Sequence, residues 1–178
     1  MKLDYQDICP TRVWHISECD ENVVKDMYDW ALTIPSDYDG VKKSNRGGYH
    51  SPVFNTFDNV PHMEILQLAL VSLPAFTFVG WWMNINNKGD YNLEHVHPDC
   101  HLSGIWYFTD NNNSLELRDP NGFNRYKLNN TVDDFHETYH WDCKAGDMVI
   151  FPSDVSHSVD IHTLDTPRVS MAFNLKLS

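Results

Sequence analysis

Three histidines, His95, His97 and His101, fall within the eight residues "HVHPDCHL", with Asp99 among them, and a fourth, His157, closes the stretch "GDMVIFPSDVSH". Imidazoles and carboxylates gathered in this way are ligands for a transition metal. On a strand, residues two apart share a face, so His95 and His97 would project together toward one ion. Pro98 has no backbone N–H to give and should end that strand, leaving Asp99 and His101 in the loop beyond it. A third ligand must come from elsewhere, and His157 is suited to it, at the start of the strand that follows "MVIF" and the turn "PSD". Two triads are open: His95, His97 and His157, or His97, Asp99 and His157. They differ in chemistry, because three neutral imidazoles leave a divalent ion its full charge and one carboxylate cancels half of it. His15, His50, His62, His136, His140 and His162 are read as surface or ordinary core residues.

A cation follows the last of these ligands. In "RVSMAFNL" the residues Arg168, Ser170, Ala172 and Asn174 share one strand face, and Val169, Met171, Phe173 and Leu175 share the other. The apolar face packs on a second layer, which sends Arg168 and Ser170 into the interior. An inward arginine without a counter-charge costs several kcal/mol, so an anion is expected opposite it. A guanidinium fork beside a hydroxyl fits a carboxylate, each charge-assisted bond contributing roughly 1.5–3 kcal/mol.

The elements that must carry these side chains are legible from their periods. In "DENVVKDMYDWALTI" the apolar residues Val23, Val24, Met27, Trp30, Ala31 and Ile34 recur at helical spacing, with Asp20 as cap and Pro35 as stop. A second helix is predicted within "DNVPHMEILQLALVSLP", with the stripe Ile65, Leu66, Ala69, Leu70 and Leu73, opened near Asp58 or Asn59 and Pro61 and closed by Pro74. Between them "IPSDYDGVKKSNRGGYHSP" is turn-rich and is read as a long surface loop, the best candidate for a mobile flap. From Phe76 the pattern changes to short β-type runs: "FTFVGWWMNI", "LSGIWYFT", "SLELRD", "DMVIFP", "HSVDIHT" and "RVSMAFNLKL", with "DNNNS" as a tight turn. Helices followed by a strand meander indicate an α+β, mainly β domain, its helices packed on one sheet of a sandwich or barrel.

The 178 residues suit one domain, with a helical part over about 1–75 and a β core over about 76–178. A net charge of −12 disfavours duplex nucleic acid, whose affinity comes from lysine and arginine neutralising phosphates. The cysteines, Cys9, Cys19, Cys100 and Cys143, are scattered without a C-x-x-C pair, which fits a reduced, cytoplasmic setting. No signal peptide is evident. The apolar stretch "ILQLALVSLPAFTFVGWWM" is broken by Gln67, Ser72, Pro74 and Gly80 and is read as a buried helix running into a strand, with no membrane partner. The helices or an edge strand could support a homodimer.

The order H-x-H, strand, turn, Gly-Asp, strand, turn, His is shared by double-stranded β-helix (jelly-roll, cupin-like) metalloproteins. Cupins match in Gly89, the H-x-H pair, Gly146, Pro152 and His157, but His101 stands where they use a glutamate and Asp154 where they use a glycine. The blocks "RGGYHS", "WMNINNKGDYNLEHVH", "LSGIWYF", "LRDP", "GDMVIFPSDVSH" and "RVSMAFN" together resemble the 2-oxoglutarate and Fe(II)-dependent oxygenases, in particular a branch found in bacteriophages and marine bacteria. The resemblance implies Fe(II), 2-oxoglutarate and dioxygen as reactants. It further implies oxidative decarboxylation to succinate coupled to hydroxylation of a primary substrate, a protein side chain or a small metabolite. It places His157 as distal metal ligand, Arg168 and Ser170 on the far carboxylate of 2-oxoglutarate, and Tyr107 and Asn84 in the same pocket. Distance to the "IWYF" strand sets His95 and His97 on the family's H-x-D pair, histidine replacing aspartate, whereas reading His97-Pro98-Asp99 as H-x-D shortens that distance. The rivals are a cupin-like metalloenzyme with His101 as fourth ligand and no 2-oxoglutarate, and a non-enzymatic metal-binding β-sandwich. Trp81, Trp82, Trp106 and Tyr107 are candidate cavity walls, of which strand parity turns at least half away into the core.

Overall fold

Alternation along the runs after Phe76 gives each strand one face for a core and one for a cavity, and the chain stacks two antiparallel sheets accordingly. The structure, a computed structural model, describes residues 11–112, 114–120 and 138–178. Its elements are β1 (Trp14–Ile16), α1 (Glu21–Ala31), α2 (Ile34–Asp37), β2 (Asn45–Arg46), β3 (Tyr49–His50), α3 (Met63–Ala69) and β4 (Phe76–Asn86) in the first half. There follow β5 (Tyr91–His95), β6 (Leu102–Tyr107), β7 (Leu115–Arg118), β8 (Thr138–Trp141), β9 (Met148–Pro152), β10 (His157–Val159) and β11 (Arg168–Leu177). One sheet runs β1-β9-β6-β11-β4-β3 and the other β2-β5-β10-β7-β8. Among the described strands from β4 to β11, successive ones lie in different sheets except β7 and β8, which makes the fold a double-stranded β-helix.

The six-stranded sheet has its outer face under the helices. Val169, Met171, Phe173 and Leu175 of β11, all fully buried, meet Met27 and Ala31 of α1, Ile34 of α2, Leu66 of α3 and the following Leu70. Burying one such side chain contributes roughly 1.5–3 kcal/mol, so this apolar layer fixes β11 and thereby the opposite face of the same strand. Trp81 and Trp106 belong to the helix-side layer; Trp82 and Tyr107 point the other way, so half of the four aromatics are cavity walls.

The first helix follows its pattern, with Asp20 accepting from the Asn22 N–H at 2.8 Å. Other expectations shift. Pro35 does not stop a helix but sits in the first turn of α2, where a missing N–H is harmless. The second predicted helix is shorter than its stripe, starting at Met63: His62 is left-handed (φ 52°) and its ring is held by Asp26 at 3.0 Å, so the helix cannot run back toward Asp58. The turn-rich segment is not simply a loop. It supplies β2 to the edge of one sheet and β3 to the edge of the other, so residues 11–75 mix helices with three short strands. Gly47 and Gly48 make that crossing with φ of 71° and 61°, and a Cβ on Gly48 would come within 2.8 Å of the Ile85 carbonyl. Among the described residues no helix is long and apolar enough to cross a membrane, and Cys19, Cys100 and Cys143 are free thiols. Cys9 and His136 lie outside the described residues, as does one residue of the "DNNNS" turn.

Candidate metal centre

His95 ends β5 and His157 begins β10, and the antiparallel register sets them directly opposite each other. His97 lies two residues past the end of β5, so the H-x-H pair is split between a strand and its exit; the His97 N–H still bonds the Ser153 carbonyl at 2.9 Å and keeps the segment extended. The ring centroids are 4.2 Å apart for His95 and His157, 4.9 Å for His97 and His157, and 5.0 Å for His95 and His97. One nitrogen from each ring lies within 4.8 Å of the other two.

The second nitrogen of every ring is occupied. Nδ1 of His95 donates to the Leu93 carbonyl (2.7 Å), Nδ1 of His157 to the Val155 carbonyl (3.0 Å) and Nδ1 of His97 to Asn174 Oδ1 (2.8 Å). Ser103 Oγ also stands 2.8 Å from His97 Nδ1 and bonds Ser153. Such bonds select the tautomer whose Nε2 lone pair is free; the Ser44 hydroxyl stands 3.4 Å from His95 Nε2. Burial holds all three rings below the ordinary histidine range, His97 down to about 4 and His157 to about 3, and for those two the neighbouring imidazoles add to the effect. They are neutral donors at pH 7, fitted by type and tautomer to a first-row divalent ion. Asp99 and His101 stand apart from this cluster: both are exposed, and His101 Nδ1 accepts from the Leu177 N–H at 2.9 Å.

The triad faces a cavity of about 540 Å³ between the sheets. Arg168, Ser170, Ala172 and Asn174, the inward face of β11, line it, as do Tyr107 of β6 and Asn84 of β4; the register places Ser170 between those two. Arg168 is 3% exposed, giving Nη1 to Ser114 Oγ (2.8 Å) and Nη2 to the Asp160 carbonyl (3.2 Å). Among the described residues no carboxylate pairs with it, and burial lowers its pKa. Tyr107, also buried, has its phenol pKa raised by desolvation and stays protonated. His95, His97, His157, Arg168, Ser170, Tyr107 and Asn84 thus border one cavity, and Asp99 and His101 do not.

Residues 80–174, more than half of the chain, match the family described as "Putative 2OG-Fe(II) oxygenase". The chain belongs to that family. Fe(II) and 2-oxoglutarate, for which these oxygenases are named, are its cofactors. The fold is likewise that of solved 2-oxoglutarate enzymes. HygX from Streptomyces hygroscopicus, solved with nickel and 2-oxoglutarate bound, aligns with a TM-score of 0.66 at 11% identity over 94% of this chain and 84% of its own. A Pseudomonas putida prolyl-4-hydroxylase gives 0.65 at 13% identity, covering 94% of each chain. The alpha ketoglutarate-dependent epimerase SnoN from nogalamycin biosynthesis gives 0.69 at 12%, over 94% of this chain and 78% of its own. The comparison with curated proteins found no match.

Sequence reasoning missed several residues of the oxygenase cavity. His50, assigned there to the surface or core, is 6% exposed, lines the cavity and stacks on Trp82 with centroids 5.7 Å apart and planes 7° apart. Ser103 and Asn174, which brace His97, carried no motif of their own, although Asn174 shares the parity of Arg168.

Proposed function

We propose that this oxygenase is a dioxygenase that hydroxylates a primary substrate, with Fe(II) held by Nε2 of His95, His97 and His157 and 2-oxoglutarate held by Arg168 and Ser170. When bound, Fe(II) and 2-oxoglutarate supply, with dioxygen, oxidative decarboxylation to succinate and CO2 coupled to oxidation of a C–H bond. The chain's own residues do the placing. Neutral imidazoles offer lone pairs without a proton to displace, and their Nδ1 bonds hold each ring in the ligating tautomer. Arg168 offers a planar fork whose free donors match a carboxylate, Ser170 adds a hydroxyl, and Asn84 and Tyr107 flank them. Trp82, edge-on to His97 at 5.3 Å, walls the cavity beside the ligands and keeps water from them.

A single observation carries this reading: the imidazole cluster and a buried arginine without a carboxylate border the same cavity. The names of the Pseudomonas hydroxylase and of HygX bound to 2-oxoglutarate support it by fold, while the epimerase SnoN shows that one fold serves several outcomes. Differential scanning fluorimetry tests it. Mn(II) should raise the melting temperature, and N-oxalylglycine should raise it further only with metal present. A ligand at a hundred times its Kd stabilises by about 2.7 kcal/mol, equivalent to roughly 5–10 °C in a chain of this size. Arg168→Lys should keep the Mn(II) response and weaken N-oxalylglycine at least tenfold, since a point charge cannot replace the fork. A metal response with no co-substrate response would favour a rival, the cupin-like metalloenzyme or the non-enzymatic metal-binding β-sandwich.

A further inference from the structure

The cavity is lined by cations of two kinds and by one carboxylate. Two cations line it, Arg168 deep inside and Lys43 just before β2. The carboxylate among the lining residues, Glu94, is engaged elsewhere, accepting from Ser156 Oγ at 2.6 Å and paired with Arg118 Nε at 3.0 Å. Lys43 has no ion-pair partner among the described residues. On the reading above, Fe(II) brings two positive charges and keeps both because its ligands are neutral imidazoles. Arg168 and Lys43 bring one each and the dicarboxylate cancels two. With Glu94 offset by Arg118, and with Asp90 and Asp160 acting on Arg168 from beyond the lining, the lining groups leave a surplus of about two positive charges. This is a cationic cleft in a chain of net charge −12, and such a cleft concentrates anions.

His50 adds direction to that charge. It belongs to β3, beyond the Gly47-Gly48 crossing from Lys43, close enough for the lysine charge to act on its ring. Stacking on Trp82 holds the imidazole plane, and Nδ1 donates to the Ser51 carbonyl at 2.7 Å. Nε2 is therefore an acceptor, and it has no protein partner among the described residues. Around it the rim is apolar, with Val53 51% and Val96 47% exposed. A guest that satisfies these groups has an anionic end for Lys43, an adjacent N–H or O–H for His50, and a carbon body between the valines.

We propose that the primary substrate is a small organic acid, an α-amino or α-hydroxy acid, whose carboxylate sits on Lys43 and whose amine or hydroxyl donates to His50 Nε2. This rests on the Fe(II) and 2-oxoglutarate reading of the same cavity. The test is calorimetric titration of the protein loaded with Mn(II) and N-oxalylglycine, which occupy the metal and co-substrate positions. The probes are the twenty L-α-amino acids and their 2-hydroxy counterparts, each beside its methyl ester. At least one acid binds, with its ester at least tenfold weaker. Lys43→Met weakens that acid at least tenfold and removes its salt dependence. His50→Phe, which keeps the stack on Trp82, weakens it as well, and His50→Gln, which restores an acceptor, recovers most of the loss. Stabilisation by N-oxalylglycine shows that each variant is folded. Esters that bind as well as acids, an unaffected Lys43→Met, or no acid bound by a protein that N-oxalylglycine stabilises overturn the proposal alone. No response to N-oxalylglycine overturns the co-substrate reading and this proposal with it.

Discussion

His97 is held through Nδ1, by Asn174 and Ser103 at 2.8 Å each. Partners of this kind orient a ligand, and losing them typically costs 10–100-fold in metal affinity. Asn174→Ala combined with Ser103→Ala should therefore weaken Mn(II) by about that factor in a calorimetric titration, while Asp99→Ala, out on the exposed turn, leaves it unchanged. At this scale the sequence was informative about donors and silent about their support. Residue type and strand parity nominate His95, His97, His157 and Arg168 as candidates, and leave Asp99 open as an alternative to His95. Ser103, Ser153 and Asn174 act through contacts between strands far apart in the chain, which leave no local pattern.

Among the elements, β6 and β11 form the floor of the cavity, and their contact depends on one glycine. A Cβ on Gly104 would overlap the ring of Phe173, the residue paired with it across the two strands. Both backbones are locked in the sheet and Phe173 is fully buried, so the ring has nowhere to go. Gly104→Ala should destabilise the protein by about 1–3 kcal/mol, the usual penalty for overpacking, read as a lower denaturation midpoint at constant m-value. Long strands such as β4 and β11 were legible because β-type residues run on for 11 and 10 residues, with a two-residue period that holds throughout β11 and is broken in β4 by a bulge at Val79. The two-residue strands β2 and β3 have no room for a period, and the glycines between them read as a loop. That is why His50, on β3, was assigned a bland role while it borders the cavity. The start of α3 escaped for a related reason: a left-handed His62 is a backbone choice imposed by tertiary contact with Asp26, not by the stripe that follows.

For the molecule as a whole, the buried triad links acid to unfolding. Unfolded histidines protonate near 6.5, whereas folded His97 and His157 do so only near about 4 and about 3, because burial disfavours the imidazolium. Between those limits the unfolded chain binds more protons, so stability rises with pH through the window and is complete above 6.5. Metal-free protein should hold a steady melting temperature above pH 6.5 and lose it progressively as pH falls toward 4. His157→Asn should flatten that slope, as measured by scanning fluorimetry across the pH series. The perimeter of the sandwich has its own consequence. Among the described residues, three of the four sheet margins end in β1, β2 or β3, which are three, two and two residues long. So short a ladder gives a foreign strand almost nothing to copy, which guards the chain against growing by β-addition into aggregates.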